Sequence, residues 1–521
     1  MNRLDDILPG ASSALDRPAL TAGRGSDGRT LSYRELLGWA ETVADDLAVA
    51  LAGGNRPDRP VFVLADRGFR QVVGLLACLR CEVPAAILDA QQGGARLREI
   101  LSHVSEPLVL CDAAGSNQLA SLDLSGMRPL IMADAPSGAS LIRSKAGDDR
   151  PSASSGADVS AVVLFTSGST GAPKGVCIGA RDLGERLRTE ERWFDLRPED
   201  VILGVLPLTF DVGLTQLLAS LRVGAHHVMG SSWLPADILG DIERHRVRGL
   251  AMSPVVWRYL LRSPDEARLW GTLGTLRYVT LSGGTLPRNL LERIRDNLGQ
   301  TAFIKTYGQT EMFRIAAHRV GPGAERLDSV GRAYPGVTLR VVRADGSEAE
   351  PHEVGEITAD GLGRMVSYLG EAAGSGGPQL REPARTGDQG YLDEDGYLYV
   401  QGRKDDMIKI LDRRVFPADV ARLCREILGY AELEVVGVRS EDPFLALFVR
   451  TDEPAQLGGR WSQREVLGQL RQRLGSQLLP RQVIVLAELP HTSSGKVDFV
   501  GLQKLALERS GSSGLEGKDV G

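Results

Sequence analysis

Long apolar runs are missing from this sequence: no uninterrupted stretch approaches the roughly 18 residues needed to cross a bilayer. Cysteine is scarce too. The five that occur (Cys78, Cys81, Cys111, Cys177, Cys424) are odd in number and scattered, which argues against a disulfide framework. Cys78-x-x-Cys81 has metal or redox spacing, but no second Cys/His pair lies at zinc-finger distance. The apolar stretch Val72–Leu79 around it reads as a buried helix. An excess of positive charge is absent as well. With 61 basic and 67 acidic residues the net charge is −6, which leaves no broad basic surface for nucleic acid or anionic lipid. The opening Met1-Asn2-Arg3-Leu4-Asp5-Asp6 lacks the basic-then-apolar order of a signal peptide, so a cytoplasmic protein is expected. Lysine is the rarest charged type: eight of the 61 basic residues.

What is present describes an ordinary globular chain, 42% hydrophobic and 25% charged, whose 521 residues are too many for one core. Apolar runs of strand length (Pro60–Leu64, Ala161–Phe165, Val201–Leu206, Leu276–Leu281, Phe303–Thr306) alternate with helical segments such as Leu290–Leu298. That alternation predicts an α/β fold with largely parallel sheets. Lys145–Ser160, rich in Gly, Ser and Asp, reads as a linker. Leu392–Val400 reads as a hairpin, because Asp395-Gly396 supplies a positive-φ turn. A compact mixed module is expected from residue 403 to 507, following a larger unit at 1–402. Residues 508–521, Gly/Ser-rich and charged, are expected to be a disordered tail.

The most informative segment is Thr166-Ser167-Gly168-Ser169-Thr170-Gly171-Ala172-Pro173-Lys174-Gly175, directly after the apolar run Ala161–Phe165. Glycines let backbone approach phosphate oxygens, hydroxyls add donors, and the lysine adds a point charge. It is not the loop of P-loop proteins, because no Gly-Lys-Ser/Thr follows at the required spacing.

Here the sequence resembles the adenylate-forming superfamily of acyl-CoA synthetases, luciferases and peptide-synthetase adenylation domains. Leu31-Ser32-Tyr33-Arg34-Glu35-Leu36 looks like its first motif, and the phosphate loop matches position for position. Tyr307-Gly308-Gln309-Thr310-Glu311 resembles its magnesium and adenine motif, and Arg385-Thr386-Gly387-Asp388 its ribose motif. Gly402-Arg403-Lys404-Asp405-Asp406 resembles its hinge, and Ser494-Gly495-Lys496 the tip bearing its catalytic lysine. Four of the eight lysines (Lys174, Lys404, Lys409, Lys496) fall in these motifs, and a compact ammonium suits a phosphate or carboxylate oxygen.

The resemblance implies a large N-terminal domain of mostly parallel sheets flanked by helices, and a small mobile α+β C-terminal domain. It implies ATP and Mg²⁺, and attack of a carboxylate on the α-phosphorus with loss of pyrophosphate. Thr166, Ser167, Gly168, Ser169, Thr170, Gly171 and Lys174 would hold the phosphates, and Gly283 would lie beside the nucleotide. Glu311 would bind the metal, with Thr310 near the α-phosphate and Tyr307 against adenine. Asp388 would hold the ribose, and Arg403 would lie near phosphate and ribose. Lys496 would bridge the substrate carboxylate and the α-phosphate. A second step would pass the acyl group to a thiol after rotation about Asp405. Asp412 departs from the pattern: relatives usually have a glycine there, lining the thiol route.

Pro207-Leu208-Thr209-Phe210-Asp211 resembles amino-acid-activating members, whose aspartate binds the substrate ammonium. By the same correspondence Val212, Thr215, Ala251, Thr280, Ser282, Thr306, Arg314 and Ile315 would line the acyl pocket. Arg314 is the one cation in that small polar set, with no ionic partner among its members, so it suits a second carboxylate. The expected substrate is an aspartate-like or β-amino acid, and no condensation, carrier or thioesterase segment accompanies the motifs. A freestanding enzyme that loads a separate phosphopantetheine carrier protein in natural-product biosynthesis is therefore expected. Acyl- or aryl-CoA ligation and a non-catalytic nucleotide-binding scaffold are the alternatives.

Overall fold

The structure is a computed structural model that describes residues 4, 7–22, 28–52, 59–90, 94–122, 127–132, 160–167, 173–230, 232–321, 326–371, 383–403, 408–410, 413–415, 417–430, 432–440, 443–451, 463–474, 478–492 and 497–512. The Lys145–Ser160 linker lies outside these except for Ser160.

Two large sheets carry the N-terminal part. One has the order β18 (Ser367–Tyr368), β8 (Pro173–Gly179), β7 (Ser160–Ser167), β4 (Ala85–Asp89), β3 (Val61–Ala65), β5 (Leu108–Cys111), β6 (Arg128–Ile131). Strands from β7 to β6 run parallel, while β8 and β18 are antiparallel additions at one edge. Every residue of Val61-Phe62-Val63-Leu64-Ala65 is buried, as a strand covered on both faces requires. The following helix, Phe69–Arg80, is enclosed from Gln71 to Leu79. Cys78 lies inside it, and all five cysteines are buried with none in a disulfide, so the Cys-x-x-Cys spacing is a packing feature.

The second sheet has the order β15 (Arg332–Ala333), β14 (Phe313–Val320), β13 (Ala302–Gln309), β12 (Tyr278–Ser282), β11 (Gly249–Met252), β9 (Val201–Gly204), β10 (His226–Met229), β1 (Pro18–Ala22), β2 (Arg29–Ser32). From β13 to β1 all pairings are parallel, and antiparallel strands close both edges. The run expected to stay extended to Leu206 stops at Gly204. There Arg67 takes over as carbonyl partner, with Nη1 2.8 Å from the Val205 oxygen and Nη2 3.2 Å from that of Leu206. In β13, the Lys305 ammonium is buried and donates to the Ser329 carbonyl at 2.7 Å and to that of Leu327. Burial pushes its pKa down to about 8.

A four-stranded antiparallel sheet follows: β16 (Val337–Val342), β17 (Gly355–Gly361), β19 (Ala384–Leu392), β20 (Leu398–Arg403). Its last two strands form the expected hairpin, with Gly396 at φ 76° in the turn. The smaller C-terminal domain holds a hairpin, β21 (Ile408–Ile410) and β22 (Arg413–Val415), and a sheet, β23 (Leu433–Val438), β24 (Phe444–Arg450), β25 (Gln482–Leu486). Three helices (Pro417–Leu428, Gln463–Leu474, Phe499–Ser512) accompany these strands. Residues 508–512 continue the last helix rather than beginning a tail. The helix is anchored by buried Leu502 and Ala506, and no proline interrupts it. The two parts meet through ion pairs, Arg258 to Glu434 at 3.3 Å and Arg262 to Glu432 at 2.5 Å. Among the described residues no helix is long and apolar enough to cross a membrane.

Candidate active site

The expected phosphate loop is the connection of an antiparallel pair. β7 and β8 place Thr166 opposite Lys174 and Ser167 opposite Pro173. Their register leaves Gly168, Ser169, Thr170, Gly171 and Ala172 as the connection, which lies outside the described residues. Lys174 is exposed, and its ammonium sits 5.2 Å over the Tyr368 ring. Gly175 is needed beside it: a Cβ there would come within 2.9 Å of Leu369 Cβ.

Tyr368 links two of the expected elements. Its backbone pairs with Val176, and its hydroxyl donates to Glu311 Oε1 at 3.2 Å. Burial, then the facing Glu311 carboxylate, raise the Tyr368 pKa, so the phenol stays a donor. Glu311 is thus fixed from the phosphate-loop side, and Thr310 precedes it in the β13–β14 turn. Sequence reasoning missed Tyr368. Only its place on a short edge strand against β8 reveals it.

The ribose motif has comparable order. Asp388 lies opposite Arg403 across β19 and β20, and the Arg403 Nε is 3.5 Å from Asp388 Oδ1. The Tyr307 hydroxyl donates to Asp388 Oδ2 at 2.5 Å, and burial, then the Asp388 charge, hold the Tyr307 pKa well above its ordinary value. Thr386 Oγ1 accepts from the Asp388 amide at 3.1 Å and donates to the Ile357 carbonyl at 2.8 Å, which anchors the turn. Asp405, Asp412 and Lys496 lie outside the described residues.

Most of the residues expected to line an acyl pocket gather on one face of the nine-stranded sheet. The register pairs Ala251 with Thr280 and Ser282 with Thr306, and alternation keeps Thr280 and Ser282 on the same side. Their hydroxyls form a chain, Thr280 to Ser282 at 3.2 Å and Ser282 to Thr306 at 2.7 Å. The helix Asp211–Arg222 lies over them, with Asp211 in its first turn and Val212 and Thr215 buried. Gly283, at φ 80°, faces Phe210. A Cβ there would meet that ring at 3.1 Å, so the close approach needs glycine.

Two expectations are corrected. Ile315 does not join the pocket: it packs with Met312 and Ala359, because neighbours on a strand face opposite sides and Arg314 takes the pocket side. Arg314 is also not without a partner in the chain. It is buried, with Nε 3.5 Å from Glu190 Oε1 and its guanidinium 4.8 Å over the Phe194 ring. Glu190 comes from the helix Ala180–Trp193, as does Arg186, whose Nε is 3.9 Å from the same oxygen. The Arg186 guanidinium stacks 4.6 Å from the Tyr334 ring and donates to the Arg314 carbonyl at 2.8 Å. A signal for these two existed, since Arg186 and Glu190 interrupt the apolar stripe of Leu183 and Leu187.

With this geometry in view, comparison with known proteins settles the family. Residues 10–369 match the AMP-binding enzyme model. The chain belongs to the AMP-binding enzyme family. The family's relatives of this chain fall in the adenylate-forming superfamily, and they include both ligases and peptide synthetases. It is 29% identical to indoleacetate–CoA ligase of Aromatoleum aromaticum, over 92% of this chain and 94% of that one. It is 30% identical to the AMB antimetabolite synthetase AmbB of Pseudomonas aeruginosa over 94% of this chain, which spans 38% of that larger protein. Among solved structures, ATP-bound MatB from Rhodopseudomonas palustris superposes with a TM-score of 0.81 at 24% identity, covering 97% of this chain and 98% of that one. The Bacillus subtilis O-succinylbenzoate coenzyme A synthetase in complex with AMP gives 0.76 at 25% identity, covering 96% and 98%. The two-part α/β fold is that of adenylate-forming enzymes.

Proposed function

We propose that the protein activates an amino acid as its aminoacyl-adenylate at the expense of ATP, and then passes the acyl group to the phosphopantetheine thiol of a carrier protein in natural-product biosynthesis. The observation that carries this reading is Asp211, a half-buried carboxylate in the first turn of the helix that lies over the hydroxyls of Thr280, Ser282 and Thr306. An ammonium held there selects strongly, because an acid without the amine strands the aspartate. Two peptide synthetases, AmbB and the phosphinothricin tripeptide synthetase PhsC of Streptomyces viridochromogenes, support it at 30% identity.

The reaction brings two anions together, so the chain's work is positioning and charge neutralisation. Lys174 and the loop after Thr166 hold the β- and γ-phosphates. Asp388 accepts from the ribose hydroxyls, and Tyr307, whose phenol already reaches Asp388, flanks the adenine. Lys496 neutralises charge as the carboxylate oxygen closes on the α-phosphorus. Mg²⁺ fits the donor set: it binds through one or two carboxylates plus substrate phosphates, and Glu311 is such a carboxylate. When bound, it supplies charge neutralisation at the phosphates. Residues 1–402 form the adenylation core in this reading, and the part beyond rotates about Asp405 for the thiol step.

Amino-acid-dependent ATP–pyrophosphate exchange tests the proposal. Exchange with aliphatic or aromatic acids but with no amino acid would sink it. That outcome would favour acyl- or aryl-CoA ligation, the reading that the near full-length match to indoleacetate–CoA ligase supports.

A further inference from the structure

The far end of the acyl pocket has a chemistry of its own. On β12, Tyr278, Thr280 and Ser282 share one face, each about 6–7 Å deeper than the next. Ser282 adjoins Gly283 at the mouth, and the Phe194 and Tyr278 rings, with centroids 5.0 Å apart, close the bottom. Between them lies a narrow cavity lined by Glu190, Phe194, Gln216, Tyr278, Thr280 and Arg314. Gln216 is one helical turn from Val212, on the same face.

Several buried polar atoms here have no hydrogen-bond partner among the described residues: Gln216 Nε2 and Oε1, Arg314 Nη1, Glu190 Oε1, and Arg186 Nε and Nη1 just behind. Gln216 and Arg314 are 7% and 5% exposed, so bulk water does not satisfy them. Buried polar groups are rarely left in this state. Counting the Tyr334 hydroxyl, which is buried in the same cluster and can accept, four donors face three acceptors, and Glu190 Oε1 already lies within ion-pair distance of both guanidinia.

Charge points the same way. Arg186 and Arg314 carry two positive charges, and Glu190 supplies one negative charge between them. Asp211 is the next carboxylate that both guanidinia feel. Once Asp211 receives the substrate ammonium, the deep end is left with one uncompensated positive charge. Burial pushes the Arg186 pKa down to about 10, whereas that of Arg314, although burial opposes it, is raised by Glu190 and then by Tyr334 and Asp211. A group that only accepts hydrogen bonds and carries one negative charge meets both needs. A carboxamide meets the first in part and the second not at all.

We propose that this cavity is the subsite for a side-chain carboxylate of the substrate, with Arg314 Nη1 and Gln216 Nε2 as its contacts and with Glu190 and Arg186 as positioning residues that hold Arg314. The proposal rests on the amino-acid reading above and names its substrate class, an acidic amino acid. Glu190 does not weaken the site: it fixes the Arg314 side chain through Nε and leaves the Nη1 edge for the ligand.

The experiment compares, with the unmodified protein, acids that differ only at the distal group: aspartate against asparagine, glutamate against glutamine, and the amine-free pair succinate against succinamate. The carboxylate member should be favoured on the order of 100-fold in kcat/KM for ATP–pyrophosphate exchange. Equal activation, preference for the amide, or turnover of apolar acids alone would overturn the subsite. If only succinate is activated, over succinamate, the amino-acid reading falls and the subsite stands. Gln216→Leu should lower the carboxylate-to-amide ratio roughly tenfold through KM, the scale of one hydrogen bond to a charged group. An unchanged ratio removes Gln216 from the site.

Discussion

The Tyr368 hydroxyl donates to Glu311 Oε1 at 3.2 Å while the Lys174 ammonium lies over the same ring. One phenol therefore ties the proposed phosphate-loop strands to the proposed metal carboxylate. Tyr368→Phe keeps the ring and removes the hydrogen bond, worth about 1 kcal/mol. The Mg²⁺ concentration for half-maximal exchange should rise roughly 3- to 10-fold. Magnesium-dependent ATP binding, followed by calorimetry, should shift in the same direction. An unchanged magnesium dependence in both measurements would show that Glu311 is held by other contacts.

Arg314 and Glu190 form a buried pair, so the two should not be separable without cost. Arg314→Leu should destabilise the fold by about 3–5 kcal/mol, because it strips one partner from a buried ion pair. Arg314→Leu combined with Glu190→Leu should recover part of that loss. Denaturant midpoints of the two single variants and the double variant give the coupling. Additive losses would mean that the 3.5 Å approach contributes nothing.

Lys496→Ala should slow single-turnover adenylate formation by two to three decades, or about 3–4 kcal/mol, while ATP binding changes little. The expectation follows from a charge that acts mainly in the transition state. Unchanged adenylate formation would remove the lysine from the mechanism.

Two neighbouring histidines set an acid limit on stability. Burial lowers the pKa of His226 to about 4 and that of His227 to about 3. Hydrogen bonds fix both neutral rings: His226 Nε2 to Thr21 Oγ1 at 2.7 Å, and His227 Nδ1 to Ser220 Oγ at 3.0 Å. The unfolded chain takes up these protons near pH 6.5 and the folded chain does not. Their contribution is therefore complete above about pH 6.5 and is lost as pH falls toward 4, at up to about 1.4 kcal/mol per unit for each ring. The urea midpoint should fall between pH 7 and pH 5, and His226→Gln should flatten that fall. A slope unaffected by the substitution would assign the loss to carboxylates elsewhere.

Local signals in the sequence were enough for most strand positions, such as the apolar run Ala161–Phe165 inside β7. They were also enough for the Asp388 hairpin, whose turn announces itself through Gly396. The deep pocket was another matter. In the sequence Arg314 stands as a cation without a visible partner, because Glu190 comes from a helix far earlier in the chain. Ile315 stands outside the pocket for a simpler reason: next to Arg314 on a strand, it faces the opposite side. Tyr368 gave no signal, because a two-residue edge strand has no pattern to detect.

The burial of Lys305 has a further use. Amine acylation needs an accessible, unprotonated nitrogen, and Lys305 offers its ammonium only to the carbonyls of Leu327 and Ser329. Lys174 is exposed beside the expected phosphates. In a chain with eight lysines, a brief acylation pulse read by mass spectrometry becomes a footprint with few bands: Lys305 stays silent as an internal reference, and Lys174 loses reactivity when nucleotide covers it. Occupancy of the nucleotide site can be followed that way before any turnover substrate is known.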